Sequence, residues 1–525
     1  MKKRFKYGIA LGAIALLSLS ACGGAKSPIA GLDPLDDEIA SQIADKIAIR
    51  DGDPSNEDSI DIYGNIYLPD EMDGYKIVWE TSKKNIVNVG WDGEAAPGVV
   101  YRPSQDTEVV MTAYIIDEEG HKGASMEQVI NVKGLSYELQ DEDFEAYLFG
   151  HFVGEGHGKT ENNVKIATGE QMFFALADVG EGLHFKDMNG STMNNLKPVL
   201  SSDVGERGVR DPFILRSPEG DTFYLIATDL SIYTRGGWGM NNANAATKTG
   251  SHSICLWESH DLVNWTDARL IEVAREDAGM AWAPEMIYCE ETGEYLIFFS
   301  STILDDVTKG ANANIIWRDC VYYTTTRDFV HFGETKRFIP GTDYQADVKS
   351  RNESESKAEN NDQRKVIDGS VMKIGDYYYM ACKDGGNSED GGGIRIGKTD
   401  NLYDGEWEFV QNLADVGFQA EGRNADNKCL EGPEWFYLNQ ADREDPDVPE
   451  IGLMADFYAN TSVGYIPWAT TDVEDINNAN KSWRKLESGE KKDFSWDAQT
   501  KRHGTILRIT AEEAERLKEA YPISK

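Results

Sequence analysis

Short apolar runs separated by Gly-Asp and Gly-Glu turns recur along most of the chain, a pattern that predicts β-strands. One unit begins with Arg210-Asp211-Pro212-Phe213-Ile214-Leu215-Arg216, turns at Gly220-Asp221, and continues through strand-like runs at 223–228 and 253–258. A second unit starts at Ala283-Pro284-Glu285, a third at Ile367-Asp368-Gly369 and a fourth at Glu431-Gly432-Pro433-Glu434. Four strands per unit at this period predict the blades of a β-propeller. The two ends of the repeat region complement each other. Residues 146–150, 170–175 and 183–185 read as blade strands two to four without a first strand, and 503–509 reads as a first strand alone. Joined, they make a fifth blade, and closure removes the exposed sheet edges. The predicted fold class is therefore all-β, a five-bladed β-propeller over residues 143–510.

Residues 36–135 carry the same kind of pattern, with strands expected at 77–82, 98–103, 108–114 and 127–132. Such a stretch suggests a β-sandwich. It resembles the immunoglobulin-like modules of bacterial surface enzymes, which implies a spacer or a glycan-binding module. Upstream, Lys2, Lys3, Arg4 and Lys6 precede an apolar run at 8–19, then Leu19-Ser20-Ala21-Cys22. A basic head, a short apolar run and small residues before a cut describe a secretory signal over 1–21. The cysteine resembles that of a bacterial lipobox. That implies lipidation of Cys22, a polar tether over 22–35, and an extracytoplasmic protein anchored by lipid to the bacterial cell membrane or cell surface. No later stretch is long and apolar enough to span a bilayer, so the anchor is the expected membrane contact.

Composition narrows the partners. The 525 residues are 40% hydrophobic and 10% aromatic, which suits a globular chain of more than one domain. A net charge of −39 repels nucleic acid, so none is expected as a partner. Beyond Cys22 there remain Cys255, Cys289, Cys320, Cys382 and Cys429, an odd set without a CxxC spacing. Cys255, Cys289 and Cys382 fall in strand-like runs and read as buried small hydrophobes, and no zinc site is expected.

Aligning the units places Asp211, Glu285, Asp368, Glu431 and His503 at equivalent positions on the five innermost strands. Four acids and a histidine at one axis are costly to bury without function or partners. Asp211-Pro212, Trp282-Ala283-Pro284-Glu285, Ile367-Asp368-Gly369 and Glu431-Gly432-Pro433 together resemble glycoside hydrolase family 43 over residues 143–510. The resemblance implies a polysaccharide or oligosaccharide substrate and inversion at the anomeric carbon. It implies Asp211 as general base, Glu431 as general acid, and Asp368 as the carboxylate that orients Glu431 and raises its pKa. It implies no required cofactor, and it allows a structural calcium ion beside His503. Glu434 competes with Glu431, and strand alternation is expected to turn it elsewhere. Trp238, Trp282 and Trp435, with Glu285, are candidates for contacting sugar. The substrate expected is an α-L-arabinofuranoside of plant arabinan or arabinoxylan. A β-xylosidase or β-galactanase of the same type, and a non-catalytic glycan-binding lipoprotein, are the alternatives.

Overall fold

The computed structural model describes residues 42–44, 47–49, 61–90, 96–116, 122–135, 137–239, 245–305, 316–338, 366–384, 393–403, 407–413, 430–458, 464–487 and 493–524. The signal segment 1–21, Cys22, the tether 22–35 and Cys429 lie outside the described residues. The chain divides into two compact units. In the smaller, Tyr75–Thr81 pairs antiparallel with residues 111–116, from Lys76 opposite Ile116 to Thr81 opposite Met111, over a buried Trp79. The larger unit contains the propeller. It also holds a parallel pair, Asp61–Ile62 with Asn131–Val132, and a lone bridge from Val87 to Val100. That bridge is what the strand expected at 98–103 contributes.

Four blades are four-stranded antiparallel meanders that run outward from the axis. The first comprises Val209–Arg216, Phe223–Asp229, Ser253–Ser259 and Arg269–Glu272, and the second Trp282–Cys289, Glu294–Asp305, Ile316–Thr326 and Lys336–Arg337. The third comprises Val366–Ile374, Tyr377–Asp384, Ile394–Thr399 and Glu408–Asn412. The fourth comprises Leu430–Tyr437, Ile451–Phe457, Tyr465–Thr470 and Trp483–Lys485. The closing blade joins both ends of the region. Its order from the axis is Thr505–Thr510, Phe144–His151, Phe173–Asp178, Leu183–Asp187 and Phe494–Trp496. The outermost strand, parallel to Leu183–Asp187, was not foreseen in the sequence. The five innermost strands touch one another in a closed ring.

The blades explain why the apolar runs lack alternation. Phe223–Asp229 is buried at every position, because a second strand has a neighbouring blade on each face. The core accordingly lies between blades. Leu148 and Phe174 meet Leu225 and Trp257, and Ile226 and Leu256 meet Ile297 and Phe299. Phe298 and Val321 meet Met380 and Trp407, and Ile396 meets Trp435 and Trp468. Met454 and Tyr465 meet Phe149 and Phe185. After the last strand, helix Ala511–Ala520 starts on a Thr510–Glu513 capping box, and Glu513 also takes both prongs of Arg216 at 2.6 and 2.7 Å. The helix that follows the last strand is thereby tied to the first blade. Cys255, Cys289, Cys320 and Cys382 are all buried, and among the described residues none is joined in a disulfide.

Candidate active site

Each of the first four inner strands is interrupted near its start by a β-bulge. One residue per bulge takes a positive φ: Asp211 (46°), Ala283 (44°), Asp368 (54°) and Gly432 (52°). For the three that are not glycine this conformation costs about 1–2 kcal/mol each. It persists where surrounding contacts hold it, commonly at functional sites. The bulges also correct the expected alignment. Asp211 and Asp368 are equivalent to Ala283 and Gly432. Glu431 lies one position before that level and Glu285 two positions after it. The extra residue changes facing as well. Glu431 pairs with Asp456 and Glu434 with Met454, partners two apart, so Glu431 and Glu434 share a blade face rather than diverging.

Opposite each pre-bulge residue stands a second-strand residue that reaches the next blade. Thr228 Oγ1 accepts from the Ala283 amide at 2.7 Å, and Ser300 Oγ accepts from the Asp368 amide at 2.7 Å. Asp456 Oδ2 accepts from the His503 amide at 3.4 Å. The third blade has Lys383 in this place, and a lysine cannot accept. There Asp368 Oδ2 takes the Gly432 amide at 3.2 Å, and Lys383 Nζ donates to Glu431 Oε2 at 2.6 Å.

The hydrogen bonds aim the carboxylates. Because Thr228 Oγ1 already accepts an amide, its one proton goes to Asp211 Oδ2 at 2.9 Å. Asp211 Oδ1 faces His503 Nδ1 at 3.5 Å. Gly432 is needed twice over: its φ is positive, and a Cβ there would sit 2.4 Å from the His503 ring. Tyr465 donates its hydroxyl proton to the Gly432 carbonyl at 2.6 Å and accepts from the Gly504 amide at 3.0 Å, pinning the fourth blade to the closing strand.

The charges settle opposite to the expectation for Glu431. Burial drives Asp368 up to about 7, helped by the neighbouring Glu431 and Asp211 carboxylates. Burial would raise Glu431 too, but Lys383, then Arg502 at 3.1 Å and His503, pull it below the ordinary carboxyl range. Of the pair, Asp368 is therefore the carboxyl that binds a proton more readily. His503 is held below the usual histidine range by burial, against the opposing pull of Asp211, Asp456 and Glu431. Arg502 is locked by its Nε bond to Asp456 Oδ2 at 2.5 Å.

Trp238 and Trp282 come together at an edge-to-face distance of 5.9 Å. Trp238 Nε1 donates to Glu155 Oε1 at 3.2 Å, and the Arg210 guanidinium lies 5.1 Å from a Trp238 ring and bonds Glu170 at 2.8 Å. Glu285 and Trp435 do not join them. Trp435 packs between the third and fourth blades. Glu285 sits one level down, 3% exposed, where its carboxyl neighbours those of Glu434 and Asp368 and the Ser370 hydroxyl. The groups that act most strongly on these two acids are hydroxyls, an amide and other carboxyls, and burial pushes Glu434 up to about 8. Below this pair the channel opens into a cavity of about 380 Å³ lined by Phe213, Met286, Met372, Trp435 and Ile506. Among the described residues no group of three or more His, Cys, Asp or Glu side chains could hold a metal ion.

Thr228, Lys383, Arg502 and Glu155 escaped the sequence reading. The first two carried a signal, since Thr228, Ser300, Lys383 and Asp456 close equivalent second-strand runs.

Residues 142–515 match the family described as a probable glycosyl hydrolase domain, related to glycoside hydrolase family 43, and the chain belongs to that family. Over 242 residues, 44% of this chain, it is 34% identical to an α-L-arabinofuranosidase of Bifidobacterium longum subsp. longum. The match covers 20% of that protein's length. Among solved structures, the α-L-arabinofuranosidase of Lactobacillus brevis is similar at 16% identity and a TM-score of 0.34, over 61% of this chain and 94% of that one. The exo-β-1,3-galactanase of Phanerochaete chrysosporium is similar at 14% identity and a TM-score of 0.32, over 57% and 52%.

Proposed function

We propose that the protein is a secreted glycoside hydrolase, lipid-anchored through Cys22, that cleaves α-L-arabinofuranosidic bonds of arabinan or arabinoxylan with inversion. One observation carries the reading: a clustered Asp211, Asp368 and Glu431, in which Asp211 has one oxygen held by Thr228 and the other turned toward His503. Family membership supports the hydrolase, and the arabinofuranosidase relative supports the sugar. Inversion needs a base that activates water on one side of the sugar and an acid that protonates the leaving oxygen on the other. Asp211 takes the water proton, with Thr228 fixing its orientation. Glu431 donates to the leaving oxygen, and Asp368 is the adjacent proton store. Trp238 and Trp282 flank the sugar.

The test is a panel of aryl glycosides and plant glycans, with proton NMR of the first-formed anomer. Arabinose released with inverted configuration is expected. Initial retention would remove Asp211 from the role of base, and turnover confined to β-xylosides or galactan would replace the sugar. Glu431→Gln should slow poor leaving groups far more than activated aryl ones; equal loss on both sinks its role as acid. Lipid labelling of the full chain should disappear in Cys22→Ala.

A further inference from the structure

Glu431 has a cation on each of its oxygens: Lys383 on Oε2 at 2.6 Å and Arg502 on Oε1 at 3.1 Å. While both contacts stand, neither oxygen can present a proton to a leaving group. One contact has to open, and the two differ. The Arg502 side chain is 9% exposed, bonded through Nε to buried Asp456, and stacked 5.6 Å from the Phe152 ring. The Lys383 side chain is 18% exposed, and beyond Glu431 it rests against the Tyr458 ring at 4.6 Å. A flexible ammonium on an aromatic face moves more readily than a guanidinium fixed at two points.

The repeat indicates that this lysine is not a generic strand residue. In the first, second and fourth blades its position accepts a backbone amide from the next blade. In the third blade that task passes to Asp368 Oδ2, which takes the Gly432 amide. The exchange frees position 383 for a cation aimed at Glu431 and fixes Asp368 beside it. We infer that Lys383 is a positioning residue that clamps Glu431 while the site is empty and yields Oε2 to the leaving-group oxygen of a bound glycan. The inference rests on the hydrolase reading, with Glu431 as acid. The charged groups that face Glu431 are Lys383 and Asp368 from the third blade, Asp456 from the fourth, and Arg502 and His503 from the closing segment. As Lys383 withdraws, the proton on the Asp368 carboxyl passes to the Glu431 carboxylate, so the charge of the pair is unchanged until Glu431 donates it.

Lys383→Met and Lys383→Arg, in the full chain, test this. Removing a cation in contact with a carboxylate raises its pKa by about one unit or more. The basic limb of kcat/KM on an aryl arabinofuranoside should therefore move up by about one pH unit in Lys383→Met and stay in place in Lys383→Arg. A rate loss in Lys383→Met with the limb unmoved would make the lysine merely structural and overturn the inference. A second readout needs no turnover: carboxyl carbon-13 NMR titration, with Glu431 assigned by its loss in Glu431→Gln. Glu431 should titrate below the ordinary carboxyl range in the wild type and higher in Lys383→Met; identical titrations overturn the clamp. A Glu431 that responds in a protein that hydrolyses no glycoside overturns the hydrolase reading and leaves the clamp standing.

Discussion

Replacing Glu434 with Gln should flatten the pH dependence of the propeller's stability. Glu434 is 2% exposed and its carboxyl meets that of Glu285, in surroundings where the strongest influences are burial, hydroxyls and an amide. Its pKa rises from 4.5 to about 8. At 1.36 kcal/mol per pH unit, that rise is worth about 5 kcal/mol between the protonated and ionised states. The sign follows from the raised value. The contribution is fully present below the ordinary carboxyl pKa and is lost as pH climbs through about 8. Gln mimics the protonated acid and cannot ionise. In denaturant titrations the variant should match the wild type within about 1 kcal/mol near pH 5 and exceed it increasingly toward pH 8.5, with about 5 kcal/mol as the ceiling. Asp368, raised to about 7, titrates in both proteins and drops out of the difference. Parallel stability curves across this range would refute the reasoning. So would a variant destabilised equally at every pH, because Glu434 would then be a structural acceptor that never carries the strain of ionisation.

Thr228→Val removes the hydroxyl that donates to Asp211 Oδ2 and accepts from the Ala283 amide. It should cut kcat by up to about 100-fold and cost about 1–3 kcal/mol of stability, while Thr228→Ser restores both, as steady-state kinetics and denaturation can check. Gly432→Ala forces a Cβ into a left-handed position 2.4 Å from the His503 ring. It should destabilise by at least about 1–2 kcal/mol in a denaturant titration. Cys255, Cys289, Cys320 and Cys382, all buried and unbridged, should resist a thiol reagent in the native protein and react once it is unfolded.

The blade pattern was legible because a second strand covered on both faces is written as an unbroken apolar run, as in Phe223–Asp229. The chain ends were legible as complementary fragments, since a sheet needs its missing inner strand. The outer strand Phe494–Trp496 was not, because three residues with one buried position carry little pattern. The N-terminal run at 98–103 failed for the opposite reason: its composition is that of a strand, but it makes one bridge. Charge states were beyond reach of the sequence. The reading that Asp368 raises Glu431 considered carboxylates alone, and the cations that reverse it, Lys383 and Arg502, come from other elements of the ring.

The misplaced alignment of Glu285 is the most instructive of these, because its correction was written in the chain. Proline has no amide to donate, so inside a strand it belongs at an edge or a bulge. Pro212, Pro284 and Pro433 each lie within an inner strand, and each falls inside the bulge. Aligning the blades on these prolines rather than on the acids puts Asp211, Ala283 and Gly432 at one level, the three that share a positive φ with Asp368. Glu285 and Glu434 then fall together two residues later, as the structure has them. The site is therefore built in two storeys with different chemistry. At the upper one, bulges aim Asp211 and Asp368, and cations from neighbouring elements keep Glu431 ionised. At the lower one, two acids lie beside each other and Ser370, and burial favours their protonated form. An acid's role here follows from its place relative to the bulge, which decides whether a cation can reach it.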